Sequence, residues 1–255
     1  MAAGFRANRA TRRVVAVVLA LGLAVGAAGC AGGAGQAPAS VSASVAPGAS
    51  GSAVAGSTAG TPARETVPQD SVEALPAALR QAMTGVSWRP GCPVGLDDLR
   101  LVHTSYVGFD GATHAGQLVV HQAIAEATVR VFRQLREARL PIRGMNLIEQ
   151  YGGSDDESMA ADNTSAFNCR NVPGTSHWSN HAYGRAIDVN PVENPYLPKG
   201  RVMPPAGKAY LNRGDVRPGM IIAGDATVRA FRAEGFAWGG AWASGTDYQH
   251  FEKSG

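Results

Sequence analysis

The sequence is poor in several features that would assign a protein to a class. Its 255 residues contain only three cysteines, with no CxxC pair, and a single long apolar run at residues 14–29. One run excludes a membrane protein with several spans, and the missing CxxC pairs argue against a cysteine-based zinc site. Residues 1–29 carry no acidic side chain, and residues 31–63 carry no charge at all.

The formal charge of +3 comes from the N-terminal segment. Without the four arginines that precede residue 14, the chain has 19 basic and 20 acidic side chains. A nearly neutral remainder gives no electrostatic basis for binding nucleic acid, so we expect no nucleic-acid partner. With 45% hydrophobic residues, the chain is too apolar to be disordered throughout.

Residues 1–29 have the pattern of a secretory signal peptide. A basic segment precedes the apolar run, and the run ends in Ala27-Ala28-Gly29 directly before Cys30. This ending resembles a bacterial lipobox, which implies cleavage before Cys30, lipidation of that cysteine, and anchoring on the outer face of the cytoplasmic membrane, at the cell wall. A retained anchor helix is the alternative, although the run would span only about 24 Å.

Two segments follow the signal peptide. Residues 30–65 consist of the cysteine and then mostly Ala, Gly, Ser, Pro, Val and Thr, which is typical of a flexible tether. Residues 66–255 have mixed charge and contain all four tryptophans. This part is long enough to bury one sizeable core, so we expect a single domain. We expect the domain to be a monomer.

Cys92 and Cys169 remain if Cys30 carries lipid. An even pair of cysteines in an exported chain favours a disulfide, which would close a loop of about 77 residues. Two free thiols, or a cysteine that ligates a metal, are the alternatives.

The residue pattern predicts an α+β domain with a mostly antiparallel sheet and flanking helices. Residues 124–140 repeat apolar side chains at helical spacing up to Pro141, which predicts the clearest helix. Residues 99–108 and 117–121 flank a turn sequence and predict a β-hairpin. The remaining predicted elements are helices at 72–83, with Ser71 as N-cap, and at 225–234, and strands at 145–149, 185–190, 236–238 and 248–253.

Two short segments in the second half of the chain combine histidine with carboxylates. His181 and Asp188 are seven residues apart, so the chain must turn between them if both contact one metal ion, and Gly184 allows such a turn. Asp188 then lies on a predicted strand, and His250 comes from another. These three ligands would leave a fourth position for water, which is the arrangement of catalytic zinc.

Acidic residues close to His250 complete the candidate site. Asp247, three residues earlier, is a candidate general base for the activated water. Glu252 lies on the same side of its strand as His250 and could orient an imidazole through the outer ring nitrogen. His177, four residues before His181, would be a rival ligand if that segment were helical.

The pattern S-x-H-x-x-G-x-A-x-D from Ser179, followed by D-x-x-H-F-E from Asp247, resembles the zinc D-alanyl-D-alanine carboxypeptidase and L-alanyl-D-glutamate endopeptidase family. That family shares its core with the Hedgehog signalling domain. The resemblance covers roughly residues 90–253 and implies a single Hedgehog/DD-peptidase-like domain. It further implies Zn²⁺ as the cofactor, held by His181, Asp188 and His250, with Asp247 as the catalytic base.

The same resemblance suggests residues that contact the substrate. Arg170 matches an arginine that binds the substrate carbonyl or carboxylate, which implies a role as oxyanion stabiliser. Some members have a second histidine where this chain has Tyr248, so Arg170, zinc or Tyr248 must polarise the carbonyl instead. We expect Ser179, Tyr248 and Glu252 to contact either the metal ligands or the substrate.

The leading hypothesis is a zinc peptidase that cuts a bond next to a D-amino acid in peptidoglycan stem peptides. Its contact with the membrane would be the lipid anchor. A non-catalytic zinc- or peptidoglycan-binding module of the same fold is the alternative, and the acid at position 247 favours the enzyme. An iron oxygenase fits less well, because its histidine and carboxylate usually lie two residues apart. A solute-binding lipoprotein would leave the metal motif unexplained. Residues 155–157 lack the spacing of a calcium loop and are interpreted as a solvated loop or helix start.

Overall fold

The structure is a computed structural model that describes residues 69–243 and 245–254. The predicted signal peptide, the lipidation site at Cys30 and the tether lie outside these residues, so they stay predictions. In the part of the chain that is described, none of the helices is long and apolar enough to cross a membrane.

The first sheet contains three antiparallel strands in the order β1-β2-β3. β2 (Leu99–Val107) and β3 (Thr113–His121) form the predicted hairpin, with β3 beginning at Thr113 rather than at residue 117. β1 (Ser71–Ala74) pairs with the other side of β2.

The helix predicted over residues 72–83 was only partly correct. α1 spans Ala77–Met83, and its N-cap is Pro76, so the prediction that Ser71 caps this helix was wrong. A proline disfavours helical backbone in the residue before it, which is Leu75 here. The chain before Pro76 therefore stays extended and forms β1 instead.

α2 (Gln122–Glu137) follows β3 directly. The Nδ1 atom of His121 accepts a hydrogen bond from the backbone nitrogen of Ala123 at 3.1 Å and so caps the helix. The apolar positions that predicted this helix are all buried, which confirms both the helix and its inner face; they are Ile124, Ala127, Val131 and Leu135.

α4 (Ala226–Ala233) begins and ends close to its predicted limits. Oδ1 of Asp225 accepts a hydrogen bond from the backbone nitrogen of Val228 at 2.8 Å. Gly235 has φ of 82°, a left-handed conformation that ends the helix. The other helical segments are α3 (Asp155–Ala160) and 3₁₀ helices at Leu96–Asp98, Ile148–Tyr151, Asn180–Tyr183, Pro205–Tyr210 and Gly239–Ala241.

The strand predicted at residues 145–149 was wrong. The carbonyl oxygen of Met145 accepts one hydrogen bond from the backbone of Gln117 on β3, at 3.1 Å. The chain then turns into the 3₁₀ helix Ile148–Tyr151, which ends at Gly152 with φ of 61°. An apolar run of this length is compatible with either conformation, so its pattern could not distinguish them.

The second sheet also contains three antiparallel strands, in the order β4-β6-β5. β4 spans Ala186–Asp188, β5 spans Ala237–Trp238 and β6 spans His250–Glu252, each shorter than predicted. Antiparallel sheets with flanking helices confirm the predicted α+β class.

The main core connects the second sheet to α2 and α4. The rings of Phe231 on α4 and Phe251 on β6 stack with their centroids 3.7 Å apart, and Phe132 on α2 meets Phe231 edge-on. A smaller cluster around Leu99 and Phe167 includes Cys169. A disulfide joins Cys169 to Cys92, the pairing that the cysteine count favours.

Candidate metal centre

The second sheet places two of the predicted ligands side by side. In the pairing of β4 with β6, Asp188 lies opposite His250, and Ile187 lies opposite Phe251. Side chains alternate between the faces of a strand, so the fully buried Ile187–Phe251 pair faces the core. On the other face, Oδ1 of Asp188 lies 3.0 Å from Nδ1 of His250.

His181 reaches the same point from a 3₁₀ turn. Oγ of Ser179 accepts a hydrogen bond from the backbone nitrogen of His181 at 3.3 Å and caps this turn. Gly184 follows with φ of 64°, and a Cβ atom there would lie 2.7 Å from the backbone nitrogen of His121. Glycine is therefore required at position 184, both for the left-handed backbone and for the close contact with β3.

The three ligand atoms have the spacing that one metal ion requires. Nε2 of His181 lies 3.1 Å from Oδ2 of Asp188 and 3.2 Å from Nδ1 of His250. A tetrahedral zinc ion with bonds of about 2.0–2.1 Å holds its ligand atoms about 3.3 Å apart. All three side chains are buried, and they form a group that could hold a metal ion.

Hydrogen bonds on the outer ring nitrogens fix which atoms face inward. Nδ1 of His181 lies 2.6 Å from the carbonyl oxygen of Ala166, and Nε2 of His250 lies 3.0 Å from Oε2 of Glu252. Because a carbonyl and a carboxylate only accept, both outer nitrogens carry the hydrogen. The inner nitrogens then direct lone pairs at each other and at Asp188. Such a convergence is unfavourable unless a proton or a metal ion lies between these atoms, and two imidazoles with one carboxylate suit a metal ion such as zinc.

The charges around this group also favour a cation. Burial raises the pKa of Asp188, but the charge and hydrogen bond of His181 and the hydrogen bond of His250 more than offset it and lower the pKa overall. Burial lowers the pKa of His250, whereas Asp188 and Glu252 raise it, overall to about 10. Without an ion, a proton on His250 supplies positive charge. A divalent ion supplies it while the imidazoles stay neutral.

Asp247 lies in the same cleft with one oxygen unused. Its backbone nitrogen donates to the carbonyl oxygen of Gly239 at 3.1 Å, which fixes the loop that enters β6. Its Oδ1 atom is buried and has no hydrogen-bond partner among the described residues. Burial and the neighbouring Asp188 carboxylate raise the pKa of Asp247 to about 8. A carboxyl group with a free oxygen beside the metal ligands is suited to exchange a proton with water.

Arg170 also lines the cleft, where it is paired with an acid that the sequence pattern did not mark as part of the site. Nη2 of Arg170 lies 2.9 Å from Oδ2 of Asp155, and the Nε atom of Arg170 is buried without a partner among the described residues. Burial raises the pKa of Asp155, and the Arg170 guanidinium opposes that shift. The predicted helix start at Asp155 is correct, since α3 begins there. The interpretation of Asp155 as solvated was wrong, because α3 directs it into the cleft.

The remaining walls of the cleft, which has a volume of about 170 Å³, come from scattered segments. The ring of Trp242 lies 5.3 Å from that of His250, whereas Trp238 belongs to the core. No motif in the sequence marked the other wall residues, because only tertiary packing brings them together. They include Met159, Trp178, Tyr196, Met203 and Gln249.

Two residues considered from the sequence do not join the centre. Tyr248 is absent from the cleft lining. Its ring lies 6.2 Å from that of Trp238 and 4.4 Å from the Arg213 guanidinium, and these contacts hold it outside. Tyr248 is therefore not part of the ligand group, and its expected contact with the substrate stays a prediction. His177 is exposed, lies in a bend rather than a helix, and is not part of the ligand group.

Comparison with known proteins adds one match. A family model described as D-alanyl-D-alanine carboxypeptidase matches residues 173–253, which include the three grouped ligands and Asp247 but not Arg170. Searches of curated proteins and of solved structures found no match. The match confirms the resemblance carried by the two sequence motifs. Residues 173–253 of this chain are therefore similar to the D-alanyl-D-alanine carboxypeptidase family.

Proposed function

We propose that this chain is a zinc-dependent peptidase that hydrolyses a bond next to a D-amino acid in peptidoglycan stem peptides. The observation that carries the proposal is the buried convergence of His181, Asp188 and His250 beside the unused oxygen of Asp247. The family match supports peptidase activity. The donor set supports zinc as the metal.

The roles of the residues follow from their positions. His181, Asp188 and His250 would hold the ion, and the hydrogen bond from His250 to Glu252 would keep that ring oriented. A bound zinc ion supplies Lewis-acid activation of water and of the scissile carbonyl. A nearby cation also favours the ionised form of Asp247, which can then accept a proton.

Hydrolysis would proceed by addition of water to the scissile carbonyl carbon. Asp247 takes a proton from the attacking water and returns it to the leaving amine as the C–N bond breaks. The products are one carboxylic acid and one amine, so the atoms of one water molecule are divided between them. The unpartnered Nε–H of Arg170 is available to donate to the carbonyl oxygen as that oxygen gains negative charge.

We further propose that the domain acts outside the cytoplasmic membrane as a monomer, attached through lipid on Cys30. The support is the sequence pattern of residues 1–65. A tether of this composition has an end-to-end distance of about 30 Å, which allows a bound domain to reach an immobile polymer close by.

The enzyme and the binding module differ in turnover. We would incubate defined stem peptides with the zinc-loaded protein and identify the products by mass spectrometry. We expect cleavage by the wild type, and Asp247→Asn should bind zinc equally well but lose about 10²- to 10⁴-fold in kcat. Asp215→Asn, at an exposed acid, is the matched control. If the zinc-loaded wild type cleaves no stem peptide, the binding module replaces the enzyme as the better interpretation.

A further inference from the structure

The charge state of the cleft bears on where along a peptide the bond is cut. Among the described residues that line the cleft, Arg170 is the only lysine or arginine. Its guanidinium lies 2.9 Å from the Asp155 carboxylate, and both side chains are only 23% exposed. The single fixed cation of the cleft is therefore already neutralised within the protein.

A carboxypeptidase must bind the free terminal carboxylate of its substrate next to the scissile bond. A carboxylate that is removed from water needs a cation or several hydrogen-bond donors to replace its hydration. Here the cleft instead presents the carboxyl groups of Asp155, Asp188, Asp247 and Glu252. With Arg170 paired, its remaining N–H suits a neutral peptide carbonyl better than a second carboxylate.

The cleft adjoins a neighbouring groove and shares two wall residues with it. Met159 and Met203 line both the cleft and this groove, which has a volume of about 540 Å³ and is otherwise lined mainly by residues 200–205. The groove is largely apolar, and two cations, Arg201 and Lys208, and one acid, Asp156, are exposed on it. A substrate chain that continues past the two methionines finds both space and positive charge for its own carboxylates there.

We propose that this chain is an endopeptidase, which cuts an internal bond of the stem peptide while the substrate extends past Met159 and Met203 into the groove. This inference rests on the proposed peptidase function and specifies its substrate as a peptide that continues beyond the residues flanking the bond. Asp155 acts as a specificity-determining residue, because it removes the charge that would hold a terminal carboxylate.

Three matched peptides test the inference on the zinc-loaded wild type. All contain the same scissile bond. In the first peptide, the residue after the bond is the last one and has a free carboxylate. In the second peptide, the same residue is the last one but ends in an amide. In the third peptide, two further residues follow it. We expect kcat/KM to be at least about tenfold higher for the second and third peptides than for the first. Preference for the free carboxylate would overturn the inference but leave the peptidase intact. Cleavage of none of them would refute the peptidase proposal and the inference with it.

Variants at position 155 test the role of the ion pair separately. Asp155→Asn keeps a side-chain oxygen for Arg170 but removes the negative charge that neutralises it. We therefore expect kcat/KM for the free-acid peptide, divided by kcat/KM for the amide peptide, to rise about tenfold. Glu157→Ala, at an exposed acid on the same helix, should leave this ratio unchanged. Calorimetric binding of both peptides to the Asp155→Asn protein provides a second readout. An unchanged ratio in both measurements would show that Asp155 does not set the specificity.

Discussion

Replacing Glu252 by alanine should weaken zinc binding without removing any of the three ligands. Oε2 of Glu252 accepts hydrogen bonds from Nε2 of His250 at 3.0 Å and from Nδ2 of Asn180 at 2.5 Å. The first bond fixes the hydrogen on the outer nitrogen of His250 and leaves Nδ1 free to face the ion. The carboxylate also increases the basicity of the imidazole.

The magnitude follows from the loss of such supporting contacts. Removing an acceptor that holds a metal-binding imidazole typically reduces metal affinity about 10- to 100-fold, which corresponds to about 1.4–2.7 kcal/mol. Glu252→Gln keeps an acceptor oxygen but loses the charge, so its affinity should fall between those of the wild type and the alanine variant. Asn180→Ala leaves the bond from Glu252 to His250 in place, so its effect should be smaller than that of Glu252→Ala.

The assay is a competition titration of zinc between the protein and a chromophoric chelator at fixed pH. Circular dichroism of each variant confirms that it is folded. The reasoning is refuted if the Kd of Glu252→Ala for zinc equals that of the wild type, because the outer hydrogen bond would then have no influence on the metal centre.

Two further predictions concern stability. Burial raises the pKa of Asp70, but the Arg136 hydrogen bond and charge more than offset it, so the folded pKa lies below the unfolded one. The associated stability is present above the unfolded pKa of about 4 and is lost as the pH falls through the folded pKa. Asp70→Asn should therefore cost about 1–3 kcal/mol in urea unfolding at pH 7, and this cost should shrink progressively as the pH is lowered below about 4. A cost that stays constant down to the lowest pH at which the protein is folded would contradict this assignment. Replacing both Cys92 and Cys169 by serine should lower the free energy of unfolding by about 4–5 kcal/mol, because the disulfide closes a loop between residues 77 apart. A loss below about 1 kcal/mol would show that the disulfide contributes little to stability.

The metal centre could be predicted because its determinants are local. Asp188 and His250 lie on strands, and each has an apolar neighbour, Ile187 or Phe251. Because successive side chains of a strand point to opposite faces, the apolar neighbours face the core and the two ligands face the other side. Gly184 marks the one turn that brings His181 to the same point. These features can be recognised in two short segments without knowing how the rest of the chain folds.

The partner of Arg170 could not be predicted for the opposite reason. Asp155 is close to a helix start in the sequence, and a first-turn acid is usually exposed and stabilises the helix dipole. Only the packing of α3 against the loop that carries Arg170 directs this acid into the cleft. The incorrect prediction of a strand at residues 145–149 has a similar cause. Whether a segment forms a strand depends on whether a neighbouring strand is available to pair with it, and the local sequence does not carry that information.

If His181, Asp188 and His250 hold one divalent ion, as we propose, the number of zinc ions bound per chain must depend on these residues. We would load the purified protein with zinc, dialyse it, and determine the metal content by mass spectrometry for the wild type, His181→Ala and His177→Ala. Because His177 is exposed and outside the ligand group, His177→Ala is a matched control. We expect one zinc ion per chain in the wild type and in His177→Ala, and almost none in His181→Ala. Zinc retained equally by His181→Ala, or absent from the wild type, would contradict the proposal.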